Sequence, residues 1–359
     1  MSRDPIKFFL PGPTFVRPDV REAMLADLIG HRSDAMGELY ASIAPKLPPI
    51  FRTTGDVYIA TSSSTLVMQG AIASTVGNRV LHLICGAFSQ RWYDISVSLG
   101  IEADKIEVPL GEAIDPEVVR QALRRNSYDA VAFAHNETSA GVMNSASEIS
   151  AVVHEESDAL VLVDAVSSMA GIEVEVDEWG LDVTLSGTQK AFSIPPGLTF
   201  FHLSDRAIAQ AEGVSNRGFY TDLLRYRDKH FAGGTITTPA ISTIYAADVQ
   251  LGHILDEGIE NRWARHHACH ARVTEWAAGT GFSFFPASHR SPTVSCLLPP
   301  EGVSALAIVS ALAQRGWTIG TGYGPMKPDA IRIGHMGEVT VDDLNGLLLV
   351  IDQIVAELS

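Results

Sequence analysis

The chain has 359 residues, 46% hydrophobic and 19% charged, which is long enough to bury a large core and, by size, to divide into two domains. Its 26 Lys and Arg stand against 42 Asp and Glu, a net charge of −16, and this argues against a surface built to hold nucleic acid or an anionic membrane. The opening MSRDPIKFFLPGPT lacks the apolar segment of a signal peptide, and no apolar run approaches the roughly 18 residues of a membrane span, so a cytoplasmic protein is expected.

In chain order, short aliphatic and β-branched runs alternate with helix-like stretches. The runs are Val57 to Thr61, Arg79 to Gly86, Lys105 to Leu110, Asp129 to Asn136, Ala159 to Ser168, Asp182 to Gly187 and Leu198 to Ser204. Helical patterns over Thr65 to Val76 and Asp115 to Asn126 lie between them. Strands flanked by helices predict a largely parallel sheet covered on both faces. The last run follows its predecessor closely and is the candidate antiparallel strand. A helical connector from about Ser242 to Thr280 leads to a second, smaller α/β pattern: Ser291 to Pro299, Ser304 to Gly316, Ala330 to Met336 and a final helix from Thr340 to Leu358. The Gly/Pro-rich start, LPGPTFVRP, is expected to cross between the two. The predicted division is 1–16 for the crossing segment, 17–255 for a large domain and 256–359 for a small one.

Ligands of open parallel sheets sit beyond the carboxyl ends of the strands. There the sequence places a hydroxyl cluster, Thr61 to Thr65, opening into a helix; Asn136 to Ser139; Asp164 after a very apolar run; and Lys190 before a loop with two prolines. Hydroxyls and free N–H groups at a helix start suit an anion such as phosphate, and also suit an ordinary helix cap. A carboxylate at the end of a buried strand needs a cation or N–H partner, or caps the next turn. A lysine held toward its neutral form is a nucleophile for carbonyls. The three cysteines, Cys85, Cys269 and Cys296, are scattered and outside CxxC pairs, which suits idle thiols rather than disulfides or a zinc ribbon. His266 and His270, four apart in RHHACH, have a metal-compatible spacing but read better as part of a solvated connector helix, so no metal is expected. GTGYG at Gly320 to Gly324 reads as a mobile turn rather than a dinucleotide loop.

Taken in order, LPGPTFVRP, HRS at His31 to Ser33, ATSSSTLVMQGA, GAFSQRW, HNETSAGV, VDAVSS, SGTQKAFSIPPGL, TTPAISTIYA and RIGHMG resemble the class V aminotransferases, a branch of the fold-type I enzymes that use pyridoxal 5′-phosphate (PLP). The likeness spans nearly the whole chain and is nearest to the alanine–glyoxylate and serine–pyruvate enzymes. It implies an α/β fold with a mostly parallel sheet in a large PLP-binding domain and a small carboxyl-terminal α/β domain. It further implies that Lys190 forms the Schiff base with PLP, that Asp164 faces the pyridine nitrogen, and that Phe88 and Val166 flank the ring. Thr138 would bond the ring hydroxyl, Ser63, Ser64, Thr65 and Gln189 would hold the phosphate, and Thr238 would reach the phosphate of a partner subunit in a homodimer. Ser62 and Ser64 stand where relatives often carry glycine. Arg332 would grip the substrate carboxylate, with the Gly12 backbone nearby; Arg32 is either a structural or a substrate residue.

The activity so implied is transfer of an amino group from alanine or serine to glyoxylate or pyruvate, with Lys190 moving the α-proton. Alternatives are phosphoserine–2-oxoglutarate transfer, which would need Arg217, Arg225 or Arg227 to point inward, a lyase or desulfurase reaction, and PLP binding without turnover.

Overall fold

The computed structural model describes residues 5–358. A seven-stranded sheet has the order Val57–Ala60, Thr199–Leu203, Val183–Gly187, Leu160–Asp164, Ala130–Ala134, Arg79–Ile84, Glu102–Glu107. The five strands from Val183–Gly187 to Glu102–Glu107 run parallel, and Thr199–Leu203 is antiparallel to both of its neighbours. Alternate residues of the central strands enter two apolar clusters. Val131, Phe133, Val161 and Val163 join one; Ala130, Ala132, Leu160 and Leu162 join the other. A sheet buried on both faces requires the near-continuous aliphatic runs seen in its sequence. The edge strand is Glu102–Glu107 rather than Lys105 to Leu110, because its ladder pairs Arg79 with Glu102 and ends at Glu107, before Pro109.

Local signals set the helices. Pro116–Arg125 begins with an Asp115 cap bonded to Glu117 N at 2.9 Å, has Pro116 in its first turn and ends in Arg124 and Arg125, which suit a helix carboxyl end. The connector is two helices, Ile241–Glu257 and Ile259–Thr280, parted by Gly258 at φ 82°.

The smaller sheet has five strands in the order Phe8–Phe9, Thr318–Thr321, Ile331–Gly334, Val294–Leu298, Ser283–Phe284. Phe8–Phe9 pairs in parallel with Thr318 and Ile319, so the amino-terminal segment is built into this sheet before it runs back toward the large one. A separate apolar cluster, including Phe9, Val273, Ile333 and Leu347, lies on it. The helix Ile259–Thr280 serves both bodies: Ile259 and Trp263 pack in the large sheet's cluster, and Cys269, Val273 and Trp276 in the small sheet's.

Candidate active site

The carboxyl ends of the parallel strands gather most of the expected residues. Lys190 stands three residues beyond the strand Val183–Gly187, in a loop closed by Ser193 N donating to Lys190 O and Ile194 N to Thr188 O. The crossing segment lies against it: Thr14 N donates to Gln189 O at 3.0 Å, Thr14 Oγ1 to Lys190 O at 2.8 Å, and Lys190 Nζ to Pro11 O at 2.5 Å. Gly12 is required here, since a Cβ at this φ of 129° would lie 2.5 Å from Lys190 Nζ. Burial above all, with the nearby charge of Arg332, lowers the Lys190 pKa to about 8, and Asp164 partly offsets them. The amine therefore has a substantial neutral fraction near physiological pH, the form that attacks a carbonyl.

Asp164 ends its strand with 7% of its surface exposed. Its carboxylate accepts from Val166 N at 2.8 Å and has no ion pair among the described residues. Burial above all, with the charge of Glu137, raises its pKa to about 7 against the opposing pull of the Val166 N–H. A carboxyl in this setting lacks a cation, and a protonated pyridine would supply one.

The helix Ser64–Thr75 starts directly after the strand Val57–Ala60, with Ser63 at its cap position making no side-chain cap bond. Ser64 Oγ is buried without a hydrogen-bond partner. A Cβ on Gly187 would meet Ser64 Oγ at 2.6 Å and Gln189 Oε1 at 2.7 Å, so these two side chains converge over one glycine. An unpaired hydroxyl, a polar amide and free helix N–H groups form a cradle for an anion. Thr65 lies in the first turn of the same helix.

On the other side, the helix Ala87–Ser98 presents Phe88 at its start. Glu137, fully buried, anchors that helix: its carboxylate accepts from Phe88 N at 3.1 Å, Ser89 N at 3.0 Å and Ser89 Oγ at 3.0 Å, and from Ser139 Oγ at 2.5 Å. The polar stretch around it is a small hairpin, Asn136–Glu137 with Val142–Met143. Glu137 was not among the expected site residues; the signal was a carboxylate in a stretch that had to sit beside a helix start.

Arg332 lies on an interior strand of the small sheet, half-buried, with Nε donating to Thr321 O at 2.8 Å and Nη1 to Thr138 O at 3.0 Å. Thr138 thus meets it through the main chain. Among the described residues no carboxylate pairs with Arg332, and burial lowers its pKa. Tyr323 covers it, with the guanidinium 5.4 Å from the ring centroid, and the Tyr323 ring lies 5.4 Å from that of Phe88. Arg91 stacks on Phe88 at 5.0 Å. GTGYG, read from sequence as a mobile turn, is not one throughout: Gly320 and Thr321 end the strand Thr318–Thr321, paired with Arg332 and Ile331, and this ladder carries Tyr323 into the site.

Other expectations fall elsewhere. Thr238 is exposed, in a loop tied to the large sheet by Ala240 N donating to Thr61 Oγ1 at 3.2 Å. Arg32 is exposed beside a cavity of about 370 Å³ that Thr235 and Thr237 also line. Arg217 and Arg225 pair with Asp222, and Arg227 with Glu212 and Asp228, so these arginines are engaged within their own region. The three cysteines are buried, and burial pushes the Cys85 thiol up to about 12 and that of Cys296 to about 11, which leaves neither suited to a thiolate nucleophile. The helix bearing RHHACH is not solvated along this face: His266 is fully buried, with Nε2 3.2 Å from Gly337 O, because this turn packs between the two bodies.

The profile of the family Aminotransferase class-V matches residues 57–335. The chain belongs to the class V aminotransferases. The L-aspartate–glyoxylate aminotransferase of Paracoccus denitrificans is 32% identical over 94% of this chain and 88% of its own. The serine–glyoxylate aminotransferase of Methylorubrum extorquens is 30% identical over 95% of this chain and 88% of its own. The crystal structure of an aspartate aminotransferase of subgroup IV from Thermus thermophilus superposes with a TM-score of 0.91 at 30% identity, covering 99% of this chain and 100% of that one.

This class V aminotransferase is a PLP enzyme of fold type I, and PLP is its cofactor. The residues present fit that group. The orphaned Ser64 hydroxyl and the Gln189 amide suit its phosphate, the unpaired Asp164 carboxyl suits its ring nitrogen, and the depressed Lys190 amine suits its aldehyde.

Proposed function

We propose that this aminotransferase moves an amino group from a small amino acid, alanine or serine, to a 2-oxo acid, glyoxylate or pyruvate, with Lys190 as the residue that links covalently to the cofactor aldehyde. The observation that carries the substrate class is Arg332: a half-buried guanidinium fixed by two main-chain carbonyls and, among the described residues, without a carboxylate of its own. A planar fork of this kind grips an α-carboxylate in two-pronged fashion. Tyr323 over Arg332 and against Phe88 limits the room beside that carboxylate, which favours a short side chain. The serine–glyoxylate relative supports the same reading.

When bound, PLP supplies an electron sink that acidifies the substrate α-carbon. Asp164 would keep the ring nitrogen protonated, Phe88 and Val166 would hold the ring, Thr138 would donate to its hydroxyl, and Ser63, Ser64, Thr65 and Gln189 would hold the phosphate. With PLP bound, the Lys190 amine would be the acid–base group that holds and moves the proton of the substrate α-carbon. Pro11 O accepts from its amine, and Gly12, lacking a Cβ, leaves room for it.

The working unit we infer is a homodimer in the cytoplasm, with Thr238, exposed on its loop, reaching the partner subunit's phosphate. The division 1–16, 17–255 and 256–359 is proposed alongside it, supported by the separate apolar clusters. Among the described residues no helix is long and apolar enough to cross a membrane.

A second reading, a dicarboxylic donor such as aspartate, rests on Arg91: exposed, 5.0 Å over Phe88, and unpaired with any carboxylate among the described residues. Single-turnover conversion of the loaded enzyme by alanine, serine, aspartate, phosphoserine and 2-aminoethylphosphonate separates these readings. Fast reaction with alanine and serine is expected. Fast aspartate with slow alanine would replace the first reading by the second, and fast phosphonate would remove Arg332 from its role.

A further inference from the structure

The helix Ile259–Thr280 carries a guanidinium into the interior. Arg262 is 1% exposed, so its charge must be met from within the protein. Nη1 donates to Glu257 Oε2 at 2.7 Å and Nη2 to Glu338 Oε1 at 3.1 Å. Its other two bonds go to main-chain carbonyls: Nη2 to Ala191 O at 2.7 Å and Nε to Ala170 O at 3.2 Å. Ala191 directly follows Lys190, and Ala170 lies in the turns that follow Asp164. Glu338 lies six residues beyond Arg332 on the segment leaving the small sheet. Arg265, one helical turn on, donates to Gly337 O at 2.8 Å and Val339 O at 2.7 Å while pairing with Glu257.

Resting on the PLP reading of Lys190, we propose that Arg262 is a positioning residue for amino transfer: one buried guanidinium joins the segments that follow Asp164, Lys190 and Arg332, so that the acid, the amine and the carboxylate-binding cation keep a fixed spacing. The surroundings fit that role. Ala170 and Ser193 are non-glycine residues in left-handed conformation, φ 61° and 55°, a backbone state that persists only where neighbours over-determine it. A Cβ on Gly171 would lie 3.0 Å from Ala191 Cβ, and one on Gly337 would collide with Ser193 Oγ, so the three segments touch one another directly. Burial would raise the Glu338 pKa, but Arg262, Gln250 and Arg265 outweigh it and hold the carboxyl down at about 2, so the anion in this clamp persists across the working pH range. A buried ion pair that serves stability alone is often replaceable by apolar residues of similar volume. This one spends two of its bonds on the carbonyls of functional loops.

The test compares Arg262→Met, Arg262→Lys and Glu338→Gln with a control on the same helix, Arg272→Met, whose partners are Asn345 and Glu275. Amide hydrogen exchange is read in the chain without cofactor over 166–172, 188–194 and 335–340. Arg262→Met should raise exchange about tenfold in all three segments while the central strands stay protected. Arg262→Lys should restore part of the protection, Glu338→Gln should loosen 335–340 most, and Arg272→Met should change none of them. In the loaded enzyme, Arg262→Lys should lower kcat at least severalfold while cofactor remains bound. Exchange that stays unchanged in these segments, or that rises evenly across the chain with lost stability, overturns the proposal. The exchange measurements need no cofactor, so their failure is distinguishable from a failure of the Lys190 assignment.

Discussion

The two ends of the seven-stranded sheet differ in how fully their polar groups are met, and the less satisfied end is the one proposed to bind the cofactor. At the end away from Lys190 lies a cavity of about 770 Å³ lined by Asp177, Asp182, His202, Arg206 and Arg227. Its polar groups are engaged: Asp177 accepts from Thr53 Oγ1 at 2.5 Å and Thr54 N at 2.7 Å; Asp182 accepts from Val161 N at 2.9 Å, Ser204 Oγ at 2.6 Å and Arg206 at 3.2 Å. At the end proposed as catalytic, among the described residues, the Ser64 hydroxyl is an orphan, Asp164 and Arg332 lack ionic partners, and Lys190 Nζ donates to a carbonyl. Space alone says little. Unmet charge and hydrogen-bonding capacity, held in place at a folding cost, are what a ligand is needed to complete.

The largest break in that contrast should come from Lys190→Ala. With no amine to move the α-proton, single-turnover rates should fall by at least about 100-fold, the lower range for a positioned acid–base group. Borohydride reduction should then no longer fix cofactor to the chain; a reduced adduct mapped to another lysine would contradict the assignment.

Asp164→Asn should also slow the half-reaction by orders of magnitude, since a neutral pyridine is a poor electron sink. The same change sharpens the comparison through stability. With the Asp164 pKa raised by burial to about 7 against about 3.9 in an unfolded chain, the native cofactor-free protein holds a proton that the unfolded chain has lost between those values. Its stability therefore falls as pH rises through that window. Asp164→Asn should remove this contribution and raise the melting temperature of the cofactor-free protein at pH 8 but not near pH 4. Equal melting shifts at both pH values would count against an unpaired buried carboxyl.

Arg332→Gln should raise KM for amino and oxo substrates alike by roughly 10- to 100-fold, matching ~1.5–3 kcal/mol for hydrogen bonds to a charged group. A smaller effect on turnover is expected from Thr238→Ala, which should weaken cofactor retention by about 1.5 kcal/mol, the low end of that range, and only if the dimer forms; sedimentation of a fully active monomer would exclude it. Smallest on turnover is Asp182→Asn at the opposite end, which should lower the melting temperature while leaving kcat unchanged. A changed kcat there would mean the two ends are coupled.

Much of this was legible in the sequence because it depends on local rules. Uninterrupted aliphatic runs such as Ala159 to Val163 announce strands buried on both faces, and a cap-and-proline start announces Pro116–Arg125. The order of motifs around Asp164 and Lys190 identified the family. Glu137 and Tyr323 were not legible as site residues. Their significance lies in what they touch, a helix start 49 residues away and a guanidinium from another strand.

By itself, then, the sequence determined the strand–helix alternation, the residues at the carboxyl ends of the strands and the kind of chemistry they can do, because periodicity and residue type act over a few positions. Only the tertiary structure decided that Gly12 lies against the Lys190 amine, that Ser64 and Gln189 converge over Gly187, and that Arg262 reaches the loops of Asp164 and Lys190 from a helix which the sequence presents as solvated. These contacts join segments tens to hundreds of residues apart. The physical reason is that burial sets the value of a charge: the same arginine is a solvated side chain on an isolated helix and a four-bond clamp once two bodies close around it.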